Sequence, residues 1–180
     1  IRVPFFVHWP GVVQPGRTDE PIIGVDMYRT FCSMTSVTMP ANQPCDGIDL
    51  VPFLKGEVGG LPKRALFWHF PAYLQGTSKP LEPRDPLFRS RPCSIIRRGD
   101  WKLHEYFEDG GIELYDLAND VGERRNLAKS MPEKAGELLA ELRQWRQRLD
   151  APIPTERNPK YDAEAEAAAI KKLFQAASRK

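Results

Sequence analysis

Cysteine is scarce in this chain. Cys32, Cys45 and Cys93 are the only three in 180 residues, and no two stand at C-x-x-C spacing. An odd number without that spacing argues against both a disulfide framework and a zinc site. Free thiols are expected, buried or half-buried, with one pairing left open. No apolar run approaches the ~18 residues of a membrane-spanning helix. An excess of one charge is also lacking. Lys and Arg number 26 against 24 Asp and Glu, a net +2, which is too little to argue for a nucleic-acid partner. No internal repeat is evident. The chain opens on Ile1 inside an apolar stretch, with no charged segment leading into an apolar one as in a signal peptide. Such a beginning is expected of a piece of a longer protein.

What is present is enough for a core. Hydrophobic residues make up 41% of the chain, and its length suits about one domain. The 17 prolines predict many turns and long connections. Residues 1–9 are almost continuously apolar, as suits a strand buried on both faces of a parallel sheet. Pro10-Gly11 and Pro15-Gly16 then mark a surface loop. Residues 26–37 read as a helix with Asp26 as N-cap and Met27, Phe31 and Met34 on one side. A helical turn is expected over 50–54 and a strand over 64–70. A proline-rich stretch over 71–92 is long enough to suggest a lid or disorder. Strands near 93–97, 101–107 and 112–116 are separated by the turn signals Arg98-Gly99-Asp100 and Glu108-Asp109-Gly110-Gly111. Residues 130–149 form the clearest helix, with Ser130 and Glu133 as a capping box and Pro132 in the first turn. Its apolar stripe is Ala135, Leu138, Leu139, Leu142, Trp145 and Leu149. A thin-faced peripheral helix is expected over 163–177. The order of elements predicts a strand–helix α/β part followed by an α+β end, an antiparallel meander packed on a helix.

Several segments resemble, in wording and in order, the C-terminal part of type I sulfatases of the alkaline-phosphatase-like superfamily. They are Ile1-Arg2-Val3-Pro4 with Trp9-Pro10-Gly11, Asp26-Met27-Tyr28-Arg29-Thr30, Asp46-Gly47-Ile48-Asp49-Leu50, and the strand running from Arg64 into Trp68-His69-Phe70-Pro71. Gly99-Asp100-Trp101-Lys102-Leu103, Glu113-Leu114-Tyr115-Asp116-Leu117 and Asn126-Leu127-Ala128 complete the series. Asn158-Pro159-Lys160-Tyr161-Asp162 resembles tails of some members. The resemblance implies a parent enzyme that hydrolyses sulfate esters, carbohydrate sulfates before others. It further implies a formylglycine hydrate that attacks sulfur and a calcium ion that offsets the charge on the sulfate oxygens. A periplasmic or secreted location is the family's expectation. It divides the chain into the last strand–helix portion of the catalytic domain (1–72), a proline-rich loop (73–92), the sheet-and-helix subdomain (93–150) and an extended tail with a peripheral helix (151–180). The missing N-terminal catalytic domain is the implied partner.

The chain departs from the family's catalytic pattern. Formylglycine arises in a C/S-x-P-x-R motif. Cys93-Ser94-Ile95-Ile96-Arg97 has Cys and Arg at that separation, but Ile95 stands where proline is required. The acidic residues that hold calcium are not recognisable either, and Asp46, Asp49 and Asp109 read as turn carboxylates. The nucleophile and metal ligands are therefore expected upstream, and this segment alone is expected to be inactive.

The candidate substrate-binding residues are His69, Trp68 and Tyr73. His69 ends a predicted strand before the long loop, where α/β folds place ligand contacts. It would donate to a sulfate oxygen or protonate a leaving alcohol, or else bond backbone at the core edge. Trp68 and Tyr73 would stack on a sugar face, or serve as core aromatics. His8 reads as structural, and His104 as a residue on the meander's surface. Arg97, Arg98 and Lys102, beside Arg89 and Arg91, would attract an anionic glycan or form a solvated basic face. Two rival readings stay open. One is a related phosphoester or phosphonate hydrolase, and the other is a non-catalytic interaction module.

Overall fold

Alternating side chains over residues 93–116 lay one apolar row beneath a helix, and that row organises the second half of the chain. The computed structural model describes residues 3–76, 87–156 and 158–177. It divides into two compact units, Ile1–Lys63 and Arg64–Lys180.

In the second unit, β1 (Ala65–Phe70), β4 (Cys93–Arg98), β5 (Trp101–Tyr106) and β6 (Ile112–Asp116) form a four-stranded sheet in the order β1-β4-β5-β6, every pair antiparallel. A separate ribbon pairs β2 (Leu74–Gly76) with β3 (Phe88–Ser90). The strand expected over 64–70, as the end of the strand–helix portion, forms over Ala65–Phe70. It is instead the edge strand of the antiparallel sheet, paired with β4 along its whole length. The proposed lid or disorder of the proline-rich stretch falls partly on residues 77–86, outside the described residues.

Directly opposed residues in an antiparallel sheet share a face. Phe67, Ile96, Leu103 and Leu114 stand opposite one another across the four strands. α3 (Pro132–Arg148) lies over this row. Ile96, Leu103, Leu114 and Leu142 are fully buried, Leu138 nearly so, and the Phe67 ring stacks on Trp145 with centroids 4.7 Å apart. The stripe expected on this helix is therefore the buried one, except that Leu149 caps the helix and is half-exposed. Met131, not Ser130, precedes the first helical residue, and no side chain caps it. The Ser130 hydroxyl donates to the Leu127 carbonyl instead, so the expected capping box does not form. The β4–β5 turn has two residues, with Gly99 at φ 59°; a positive φ at the first position suits a right-twisted hairpin. α4 (Ala163–Ala177) ends the described chain, and Asp162 Oδ1 accepts from the amides of Glu164 and Ala165 at its start.

The first unit contains α1 (Asp26–Met34) and the short α2 (Val51–Leu54). Residues 3–9 form no strand, and residues 3–8, His8 among them, are exposed. The doubly buried strand expected over 1–9 is thus not formed by the described residues. A parallel strand needs neighbours to complete its ladder, and none of this unit's described residues is in a strand. Asp26 does not cap α1 but is its first residue. Its fully buried carboxylate accepts from the Ile23 amide through Oδ2 and the Ile48 amide through Oδ1, both at 3.0 Å. One turn on, the Thr30 hydroxyl donates to the Asp26 carbonyl and accepts from the Leu50 amide. These bonds draw residues 46–50 against the helix start. A Cβ on Gly47 would lie 2.0 Å from the Val25 carbonyl oxygen, so only glycine permits that approach. Met27, Phe31 and Met34 are not a buried stripe: Phe31 is 58% and Met34 39% exposed.

Leu142→Ala removes a fully buried side chain from the centre of the second unit's core. It should cost roughly 2–5 kcal/mol in chemical or thermal unfolding. An unchanged midpoint would mean that α3 does not seal the sheet.

Candidate functional site

The three candidate site residues are not brought to one point. His69 and Trp68 are successive on β1 and so occupy opposite faces of the sheet. Tyr73 lies beyond the strand, against the β2–β3 ribbon.

His69 is on the helix side, opposite Ser94, which is opposite Glu105. Its Nε2 is 2.8 Å from the Pro152 carbonyl oxygen, and its Nδ1 is 2.8 Å from the Ser94 hydroxyl. A carbonyl oxygen only accepts, so Nε2 carries the proton; in a neutral ring Nδ1 then accepts from Ser94. The ring also tilts against Phe107, centroids 5.8 Å apart. Both nitrogens are engaged, and Ser94 is fully buried. This is the core-edge arrangement that sequence reading left open beside the substrate-contact role. A substrate oxygen reaches Nε2 only if the Pro152 bond opens. Next along the row, the buried Glu105 accepts from Arg143 Nη2 at 2.6 Å and from Arg146 Nη1 at 2.7 Å. The Arg146 guanidinium lies 5.1 Å from the Phe107 ring centre. The carboxylate thus has the paired partners that a buried charge requires. Neither arginine had been singled out in the sequence. Arg146 lies on α3 directly after Trp145, so its place on the stripe's flank was the available signal.

Trp68 stands opposite Ile95 on the other sheet face, half-buried. That face also carries Lys102, His104 and Tyr115. Lys102 is 5% exposed, and its Nζ donates to Glu123 at 2.6 Å. His104 Nε2 meets the other oxygen of the same carboxylate at 3.2 Å. Burial pushes the Glu123 carboxyl up, but the hydrogen bonds from His104 and Lys102 outweigh it and hold the group down at about 2. Glu123 sits at φ 54°, a left-handed conformation uncommon for a residue with a side chain. The loop around it is tightly bonded. Asp120 Oδ2 accepts from the amides of Arg124 and Arg125, and Asn126 Oδ1 accepts from those of Leu114 and Ala128. The expected basic cluster is therefore divided. Lys102 is buried in an ion pair, Arg98 forms a two-point pair with Glu141 on the helix side, and Arg97 Nε donates to the Gly99 carbonyl. Burial and pairing, which composition does not reveal, remove Lys102 and Arg98 from a solvated basic face.

Tyr73 is about half-exposed and packs on Phe88, ring centres 4.9 Å apart. Its hydroxyl donates to Glu108 Oε1. Partial burial first, and then this bond, push the phenol up to about 12. Glu108 Oε2 pairs with Arg91 Nη1 at 2.6 Å, and Arg91 Nη2 pairs with Glu166 Oε1 at 3.0 Å.

The described residues offer no calcium cradle. No group of three or more His, Cys, Asp or Glu among them is placed to hold a metal. Asp49 Oδ1 accepts from the Val51 amide and Asp109 Oδ1 from the Gly111 amide, so these carboxylates close turns. Among the described residues no disulfide joins Cys32, Cys45 or Cys93, and Cys93 is buried. No described helix is long and apolar enough to cross a membrane.

An antiparallel sheet closed by one helix is an arrangement that known proteins share. Residues 1–150 match the family described as N-sulphoglucosamine sulphohydrolase, C-terminal. The chain is 36% identical to the steryl-sulfatase of Homo sapiens over 86% of its own length and 29% of that protein's. It is 30% identical to a Delta 4,5-hexuronate-2-O-sulfatase of Bacteroides thetaiotaomicron over 79% of its length and 27% of the relative's. Among solved structures it resembles a 2-O GAG sulfatase with a TM-score of 0.50 and 28% identity, covering 70% of this chain and 25% of that one. The chain belongs to the sulfatase family of the alkaline-phosphatase-like superfamily, and corresponds to its C-terminal portion. It spans less than a third of the length of these relatives.

The depressed Glu123 carboxyl contributes stability above the unfolded-state value of 4.5, and this contribution is lost as pH falls toward about 2. Glu123→Gln should therefore lower the melting temperature at pH 6, and the gap from wild type should narrow steadily between pH 5 and 2. A gap independent of pH would contradict the pairing. His69→Ala leaves Ser94 and Pro152 without their partners and should cost about 1–3 kcal/mol in urea unfolding. An unaltered midpoint would show that these two bonds do not hold the strand end.

Proposed function

We propose that the parent protein hydrolyses sulfate esters, with sulfated carbohydrates as the substrate class. The match of residues 1–150 to a sulfatase C-terminal family carries this reading. The carbohydrate class is supported by two of the similar proteins, a hexuronate-2-O-sulfatase and a 2-O GAG sulfatase. The steryl-sulfatase similarity points to a different alcohol. The nucleophile and the calcium ligands lie upstream of Ile1 in this reading. That agrees with the absence of C/S-x-P-x-R from the sequence. A periplasmic or secreted location rests on the family resemblance.

In the same reading, His69, Trp68 and Tyr73 meet the substrate by separate surfaces. Trp68 and Tyr73 offer ring faces to a sugar. His69 contributes a donor only where its Pro152 bond opens, and otherwise holds the end of β1 in place. In the full-length protein, a substrate contact at His69 shows as a fall in kcat/KM larger than the loss of folded enzyme accounts for. A purely structural His69 leaves the folded fraction fully active.

The phosphoester or phosphonate hydrolase reading shares the tetrahedral oxyanion but not the preferred central atom. The full-length protein should turn over an aryl sulfate with kcat/KM at least about a hundredfold above that for the matching aryl phosphate, ~2.7 kcal/mol of discrimination. The 180-residue chain alone should turn over neither. Preference for the phosphate would overturn the sulfatase reading, and no turnover of either ester by the full-length protein would favour an interaction module.

A further inference from the structure

Two arginines share one buried carboxylate at the His69 end of the helix–sheet interface. Arg143 donates from Nε and Nη2 to Glu105 Oε1, and Arg146 donates from Nη1 to Glu105 Oε2. Two guanidinium charges meet one carboxylate, so one positive charge is left over. The arginines stand three positions apart on α3, on the same face, where like charges repel. Sharing Glu105 holds them side by side. Their other donors are unused. Arg143 Nη1 and Arg146 Nε and Nη2 have no hydrogen-bond partner among the described residues. The Arg143 side chain is 56% exposed. Arg146 is only 8% exposed, but no buried side-chain nitrogen among the described residues lacks a partner, so its two unbonded nitrogens reach solvent. The Arg146 guanidinium lies against the Phe107 ring, 5.1 Å from its centre, which seats the open edge.

A single cation near this end of α3 would serve to offset the helix dipole. Two cations on one buried carboxylate leave both a surplus charge and open donor edges, which is what an oxyanion needs. We propose that Arg143 and Arg146 form a niche for a sulfate group, which takes the two open guanidinium edges while Glu105 holds them together. Sulfate offers tetrahedral oxygens to N–H donors, and hydrogen bonds between ionised groups are short and strong. Glu105 is a positioning residue in this arrangement and does not touch the anion. The identity of the anion rests on the sulfatase reading above. The sulfate group can arrive as an ester on a sugar or as the free ion that ester hydrolysis releases.

The test is a titration of the 180-residue chain followed through its arginine side-chain Nε–H signals by NMR. The titrants are sodium sulfate, N-acetylglucosamine 6-sulfate, uncharged N-acetylglucosamine, and sodium chloride at matched ionic strength. Sulfate and the sulfated sugar should shift the Arg146 signal saturably. Arg97 Nε and Arg98 Nε already donate, to the Gly99 carbonyl and to Glu141, so their signals should stay in place. Arg143→Gln should weaken sulfate binding about tenfold, the loss of one hydrogen bond between ionised groups. Arg143→Lys, which keeps the charge but not the fork, should lose less. If Arg143→Gln does not fold, the wild-type Arg146 signal against those of Arg97 and Arg98 decides. Tighter binding of the sulfated sugar than of free sulfate would assign the niche to a glycan, and equal binding would assign it to the released ion. An equal response to chloride, equal shifts at Arg97 and Arg98, unchanged affinity in Arg143→Gln, or equal binding of the uncharged sugar would each overturn the proposal. These results leave the sulfatase reading untouched, because that is judged by ester turnover in the full-length protein.

Discussion

The second unit depends on one contact, α3 lying over the row Phe67–Ile96–Leu103–Leu114. Each strand contributes one member, so the helix seals all four at once. Fully burying a side chain of this size contributes about 1.5–3 kcal/mol, and the row together with Leu138 and Leu142 forms the apolar core of the described second unit. The polar features on the helix side take their positions from it. Arg98–Glu141 closes one end of the helix–sheet interface. Arg143 and Arg146 on Glu105, with His69 on Ser94, close the other. The apolar centre sets the distance, and the charged ends fix the alignment.

The opposite sheet face buries Leu66, Ile95 and Cys93 and adds a set of residues organised by charge. Lys102, His104 and Tyr115 would make a poor buried surface by themselves. Glu123, carried in by a loop tied down through Asp120 and Asn126, supplies the carboxylate that Lys102 and His104 need. Removing one member of such a set leaves a buried charge without its partner, which costs far more than the intact set contributes. The unusual backbone at Glu123 is consistent with this, since the loop holds a disfavoured conformation in order to deliver one side chain.

The sequence made some of this legible and hid the rest, for identifiable reasons. The three meander strands, their glycine turns and the stripe on α3 were readable because period 2 and period 3.6 are strong local signals. The peripheral helix over 163–177 was readable from composition. The strand expected over 1–9 is not found among the described residues, because an apolar run states that burial is wanted and does not say whether a pairing partner exists. The helix starts were misassigned at Asp26 and Ser130. Asp26 uses its carboxylate on a distant amide and Ser130 bonds backwards, and spacing cannot distinguish these from capping. Among candidate site residues, adjacency in sequence misled. His69 and Trp68 are neighbours along the strand and are separated by the sheet itself. The pairs Arg91–Glu166 and Arg143–Glu105 join residues 75 and 38 positions apart, beyond the reach of any local pattern.

The clasp in the first unit has a consequence for how this region tolerates change. Asp26, Thr30 and Gly47 hold the start of α1 against residues 46–50, and Gln43 and the Cys45 carbonyl accept from Tyr28 and Arg29, so the stretch over 36–42 is closed from both ends. Loop-closure entropy grows only slowly with length, about 0.6 kcal/mol for each doubling. Insertions and deletions over 36–42 should therefore be cheap. A single methyl group at position 47 is forbidden by the neighbouring backbone. Variation among related chains is expected to gather in that loop and to stop abruptly at the glycine.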